Sequence, residues 1–269
     1  MSVQTSIDGR VLRIEMARPD RRNALTETMY AQMAAALAAA DADAQVRAVL
    51  ICSQGDVFSA GNDLEDFQRR AVERAGRAAA GAGATTSAEA EPAVLRFMRA
   101  LLDLQKPVIA AVQGAAVGIG ATLLLHCDLV YCSESATFRL PFVTLGLCAE
   151  FASALTLPLA AGYHLAAEKL LLGDPISASE ALQMRMVNRV LPAAELQGFA
   201  ARQAARFEQL PPASVRATKQ LMKQAWRAQI DQALQDDYAS FMRLLAGAEA
   251  QEAFRAFFEK RKPDFSRFS

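Results

Sequence analysis

The chain is poor in the residues that metal, redox and nucleic-acid chemistry draw on. Its 269 residues include four cysteines, Cys52, Cys127, Cys132 and Cys148, and two histidines, His126 and His164. No CxxC pair occurs, so a structural zinc site is not expected. Isolated cysteines in apolar segments fit reduced thiols, and the N-terminus has no signal-peptide core, so a cytoplasmic protein is expected. Net charge is also lacking: Lys plus Arg and Asp plus Glu both number 29. Such a balance argues against a nucleic-acid partner or a polybasic membrane contact. The longest apolar run, residues 108–125, is broken by Gln113 and three glycines, so it reads as a buried strand and a turn, with no membrane span.

What is present is an ordinary globular composition, 52% hydrophobic and 22% charged, over a length that suits one large α/β domain with a helical appendix. Residues 1–16 alternate like a hairpin with a turn at Asp8-Gly9. A helix opens at Thr26, and residues 46–54 form an apolar strand of the parallel-sheet type. Asp63 can cap a helix beginning at Leu64. Residues 71–91 are rich in Ala, Gly, Ser and Thr and read as an irregular insertion that shapes the pocket. Strand and helix alternate up to about residue 190, which argues for stacked βαβ units. The remainder is helical, giving an α/β core over 1–192 and a helical region over 193–269.

Two loops, "FSAGND" (58–63) and "AAVGIGA" (115–121), set glycine between a strand and a helix start. There, backbone N–H groups lack partners and a ligand can approach the main chain. Two of them converging on one oxygen would form an oxyanion hole, although by spacing alone tight turns in a parallel sheet are the better account of both loops. Elsewhere, "PFVTLGLCAEFASALTLP" (141–158) holds a single acid, Glu150. By itself this fits a Glu in the first turn of a helix, complementing its dipole.

"RPDRRNALT", "FSAGNDLEDF", "KPVIAAVQGAAVGIGATLLLHCDLVYCSESATF", "ISASEALQMRMVNRVLP" and "FFEKRKPDF" resemble, in order, the landmarks of the crotonase (enoyl-CoA hydratase/isomerase) superfamily. The resemblance implies a spiral of ββα repeats and a C-terminal helical region that mediates trimer contacts, with homotrimers or dimers of trimers. It also implies an acyl-CoA thioester ligand whose carbonyl oxygen is held by two backbone N–H groups, matched here to Ala60 and Ile119. The binding set it implies comprises Arg22, Ala24, Ala60, Gly61, Asn62, Asp63, Leu64, Gly118 and Phe142, with Asn62 and Asp63 serving mainly loop geometry and capping. No metal or redox cofactor is implied, and coenzyme A enters as part of the substrate.

Hydratases of that family carry two glutamates, at the positions held here by Thr122 and Phe142, so the usual hydration route is not expected. A lone Glu eight residues after "PF" resembles the base of the peroxisomal-type Δ3,Δ2-enoyl-CoA isomerase branch, which assigns that role to Glu150. A carboxylate in apolar surroundings gains proton affinity, as a group that takes and returns a proton requires. The alternatives are a hydratase or other crotonase reaction, and a non-catalytic acyl-CoA-binding module. The C-terminal "RFS" is not a peroxisomal signal.

Overall fold

The computed structural model describes residues 2–63, 65–66 and 91–268; Leu64 and the segment 71–90, expected to begin a helix and to form an insertion, lie outside the described residues. The chain opens with strands β1 (Val3–Asp8) and β2 (Val11–Met16), paired antiparallel. The turn sits one residue later than expected. Asp8 pairs with Val11, and the loop is Gly9-Arg10, with φ +57° at Gly9. A positive φ at only the first loop position matches the right-handed strand twist, which explains why glycine occupies it.

Helix α1 (Glu27–Ala42) follows, its Thr26 side chain accepting from the Met29 N–H. Then come β3 (Ala48–Ser53), α2 (Ala93–Asp103), β4 (Val108–Val112), β5 (Ala115–Val117) and the single-turn α3 (Ile119–Thr122). The helix expected after the loop 115–121 therefore starts within it, at Ile119, and runs on as a 3-10 turn over Leu123–His126. Beyond it lie β6 (Leu129–Ser133), β7 (Thr137–Arg139), α4 (Ser153–Ala161), α5 (Tyr163–Leu172), β8 (Ile176–Ser177), α6 (Ala178–Gln183) and β9 (Arg189–Leu191). Four helices end the chain: α7 (Ala193–Ala205), α8 (Pro212–Gln224), α9 (Arg227–Leu245) and α10 (Ala248–Phe258).

A six-stranded sheet runs β1-β2-β3-β4-β6-β9, parallel from β2 onward, and a second sheet of three strands runs β5-β7-β8. Successive segments repeat one path. The chain crosses the large sheet (β4, β6), steps into the small one (β5, β7), and then enters a helical segment. Ser59, after β3, takes the same step by bridging to Ala116. These are the turns of a ββα spiral.

Strands β3 and β4 are apolar throughout because both sheet faces are covered. Val49 and Ile51 point with Val108, Ala110 and Val112 into the main core under α1 and α2. Ala48, Leu50 and Cys52 point the other way, with Ile109 and Ala111, onto Leu196, Ala200 and Ala204 of α7. Side chains alternate with period 2, so each face draws on every second residue. Helix α7 thus packs on the sheet of residues 1–192 although it lies past residue 192. Each large side chain so buried contributes roughly 1.5–3 kcal/mol. Among the described residues, no helix is long and apolar enough to cross a membrane.

Candidate active site

Where the two glycine loops touch, their backbones run side by side. Ser59 N–H donates to Ala115 O at 3.0 Å, and Val117 N–H donates to Ser59 O at 2.9 Å. Glycine is required here twice. A Cβ on Gly61, whose φ is +88°, would lie 2.8 Å from Val117 O, and one on Gly120 would lie 2.9 Å from Ser59 Cβ. The loop is anchored from below by Asn23, fully buried. Its amide donates to Gln54 O and Val57 O at 2.8 and 2.7 Å, and its oxygen accepts the Arg18 N–H at 2.8 Å.

The fate of each N–H identifies which ones a ligand could use. Ala60 N–H donates to Arg22 O at 2.9 Å, so the donor assigned to Ala60 is already engaged. Gly61 N–H is taken by Ser59 Oγ at 3.2 Å and Asp63 N–H by Leu25 O at 2.9 Å. From Ser59 to Asp63, only the Asn62 N–H has no acceptor among the described residues. Spacing along "FSAGND" does not distinguish these groups; the neighbouring "NAL" loop does, by supplying acceptors to residues 60 and 63. On the second loop, Gly118 N–H donates to Arg139 O at 2.9 Å, while Gly118 O accepts from Ala121 and Thr122. Ile119 is fully buried at the first position of α3, where an N–H has no intrahelical partner.

Other expected binding residues hold the frame. Arg22 is exposed, with φ +52°, and its carbonyl is the Ala60 acceptor. Ala24 O accepts from Arg18 Nη1 at 3.0 Å. Asp63 accepts from the same Arg18 Nη1 at 2.7 Å and accepts the Asp66 N–H at 3.1 Å, as a helix cap does. Phe142 is buried in the same core cluster as Ile119 and Phe151.

Glu150 does not stand in the first turn of a helix, as its sequence had suggested. Helix α4 begins at Ser153, and Ala152 is its N-cap. Glu150 O accepts from the Ser153 N–H and Oγ at 3.1 and 2.6 Å, so the main chain of Glu150 supports the helix start and its carboxylate does not. Only 8% of the residue is exposed. Its Oε1 is buried with no hydrogen-bond partner among the described residues, as is Thr122 Oγ1. An unpartnered buried carboxylate costs several kcal/mol if ionised. Burial, then the charge of Asp237, pushes its proton affinity up to about 8. Native proteins pair such groups unless a task keeps them open.

Tyr30 of α1, a residue that the sequence did not single out, links the first glycine loop to Glu150. Its hydroxyl donates to Asn62 Oδ1 at 2.5 Å. Burial, then the Glu150 charge, pushes this phenol well above its usual value. The other titratable groups nearby are structural. His126, pushed down to about 4 by burial, bonds Phe151 O at 2.7 Å, and Asp128 pairs with Lys219 at 2.7 Å. Burial holds Cys52, Cys127 and Cys132 near 12, as inert thiols. Among the described residues, no three His, Cys, Asp or Glu side chains could hold a metal ion.

The site therefore offers two backbone donors, at Asn62 and Ile119, with no acceptor among the described residues, and one carboxyl with a raised proton affinity. Comparison with known proteins gives it a family: the model described as enoyl-CoA hydratase/isomerase matches residues 6–267. The chain belongs to the enoyl-CoA hydratase/isomerase family. Members of this family act on acyl-CoA thioesters. Rat enoyl-CoA delta isomerase 2 is 36% identical over 217 residues, which are 80% of this chain and 53% of that protein. The chain thus spans about half the length of that relative. The 2,3-dehydroadipyl-CoA hydratase of Escherichia coli is 31% identical, with 95% of each chain covered. The crystal structure of an enoyl-CoA hydratase/isomerase from Pseudoalteromonas atlantica superposes with a TM-score of 0.89 at 38% identity, covering 98% of this chain and 100% of that one. The fold is accordingly the crotonase α/β spiral with a C-terminal helical region.

Proposed function

We propose that this family member isomerises 3-enoyl-CoA thioesters to the conjugated 2-enoyl form. The observation that carries the reading is Glu150, a buried carboxyl with an unpartnered Oε1 and a proton affinity near 8, in a site where Thr122 and Phe142 provide no second acid. The N–H groups of Asn62 and Ile119 hold the thioester oxygen, and charge that develops there as an enolate is stabilised. Glu150 removes a C2 proton and returns a proton to C4. Moving a double bond by one position needs no other acid or base. The burial of Glu150 beside the core cluster that holds Phe142 and Phe151 keeps water from adding to C3.

The same reading makes coenzyme A the only cofactor moiety, as part of the substrate, and requires neither metal nor redox group. It includes a cytoplasmic setting and a homotrimer or dimer of trimers. Exposed Tyr163, Leu171 and Leu172 on α5 offer apolar surface for contacts between subunits.

The test is ultraviolet absorbance with trans-3-hexenoyl-CoA, beside crotonyl-CoA hydration. Conjugation raises absorbance in the first assay, and hydration lowers it in the second. A rise in the first with little change in the second supports the isomerase. A fall in the second alone identifies a hydratase. Tight binding with no turnover in either identifies a binding module.

A further inference from the structure

The loop that carries Glu150 is gripped from a helix far along the chain. Asp237 of α9 accepts the Ala152 N–H on Oδ2 at 2.7 Å, across 85 residues of sequence, and its main-chain oxygen lies 3.9 Å from Cys148 Sγ. One residue therefore holds the loop on both sides of Glu150. The loop needs holding. Phe151 and Ala152 have φ of +55° and +53°, a left-handed conformation that costs non-glycine residues on the order of 1–2 kcal/mol each. His126 supplies the remaining anchor, at Phe151 O.

We infer that Asp237 is a positioning residue for Glu150, fixing its loop through Ala152 and acting on its carboxylate through a like charge. The inference rests on the reading of Glu150 as the base. Three groups face Glu150: Asp237 from α9, the Tyr30 phenol from α1 and the Cys148 thiol of its own loop. Asp236 faces Asp237 on its own helix, and Arg243 acts on Cys148. His126 is neutral in the working range. Burial, against the pull of the Ala152 N–H, brings Asp237 up to about 6, so its charge is in place before Glu150 ionises near 8. Removing that charge lets Glu150 ionise at lower pH.

The experiment is the pH profile of kcat/KM on trans-3-hexenoyl-CoA for the wild type, Asp237→Asn, Asp237→Ala and Glu150→Gln. Asn keeps an acceptor for Ala152 and loses the charge. Its acid limb moves down by about 0.5–1 pH unit, raising kcat/KM at pH 6.5 about three- to tenfold. Ala loses both functions, and its kcat falls. A folded Asp237→Asn variant with an unmoved acid limb overturns the inference. Wild-type activity in Glu150→Gln overturns the reading of the base instead. A second measurement needs neither the Asp237 variants nor turnover: carbon-13 NMR of carboxyl-labelled wild type, with the Glu150 signal identified by its loss in Glu150→Gln. That signal carries a second inflection near pH 6, where Asp237 titrates. A single-step titration overturns the inference.

Discussion

Around residues 58–63 the chain is held by its own backbone. Strand-like bonds join it to β5, glycine permits the close approach at Gly61, and from Ser59 to Asp63 every N–H but that of Asn62 has an acceptor among the described residues. Around residues 148–152 the reverse holds. Left-handed Phe151 and Ala152 have side chains, the loop is secured by Asp237 and His126 from elsewhere, and the atom proposed as the base, Glu150 Oε1, bonds to nothing described. A binder of developing negative charge works best when rigid and preorganised. A proton carrier serving two carbon atoms needs an acid-base group that can shift between them. On the proposed reaction, the contrast in construction follows the contrast in task.

The largest effect that would break this comparison comes from Glu150→Gln. Turnover of the 3-enoyl substrate should fall by about 10³ or more, with thioester binding retained, as seen by titration calorimetry. The same variant changes the dependence of stability on pH. The Glu150 proton affinity is raised on folding, from the ordinary 4.5 to about 8. Its contribution to stability is therefore full below about pH 4.5 and is lost as pH rises through about 8. The variant lacks that loss, so in denaturant melts its advantage over wild type should grow across this window, by up to about 5 kcal/mol. An advantage that is flat with pH would mean that Glu150 is ionised at little cost.

Next comes Gly61→Ala. A Cβ there meets Val117 O at 2.8 Å with φ at +88°, so the two loops must part. Activity should drop about 10²-fold through kcat, with the melting midpoint lowered by the equivalent of 1–3 kcal/mol. A drop in stability alone would separate the loop contact from the hole. The smallest effect belongs to Tyr30→Phe, which removes one hydrogen bond from Asn62 Oδ1. About 1 kcal/mol of stability and a several-fold loss in kcat are expected, with KM nearly unchanged. A pure KM effect would place Tyr30 against the substrate rather than behind Asn62.

How much of this could be read beforehand varied with the physics involved. Strands β3 and β4 were legible as unbroken apolar runs, because burial on two faces leaves polar residues nowhere to go. Three-residue β5 was not, since "AAV" beside glycines carries no pattern of its own. Glu150 stood out because an acid in apolar sequence demands a reason. Its exact place before α4 did not, since the helix starts on backbone conformation at Ala152. That the Ala60 N–H is engaged was not legible, because only the folded neighbouring loop brings Arg22 O against it. Asp237 was invisible: among "QDDYAS" it resembles any acid on a solvated helix face.

Burial of Glu150 also has a stereochemical consequence. On the proposed reaction, a carboxyl screened from bulk water keeps the hydrogen it has just removed, and it reaches the substrate from one side only. The atom taken from C2 would be handed to C4 on the same face of the acyl plane. A substrate deuterated at C2 would therefore retain much of its label in the product, as an internal record of the transfer.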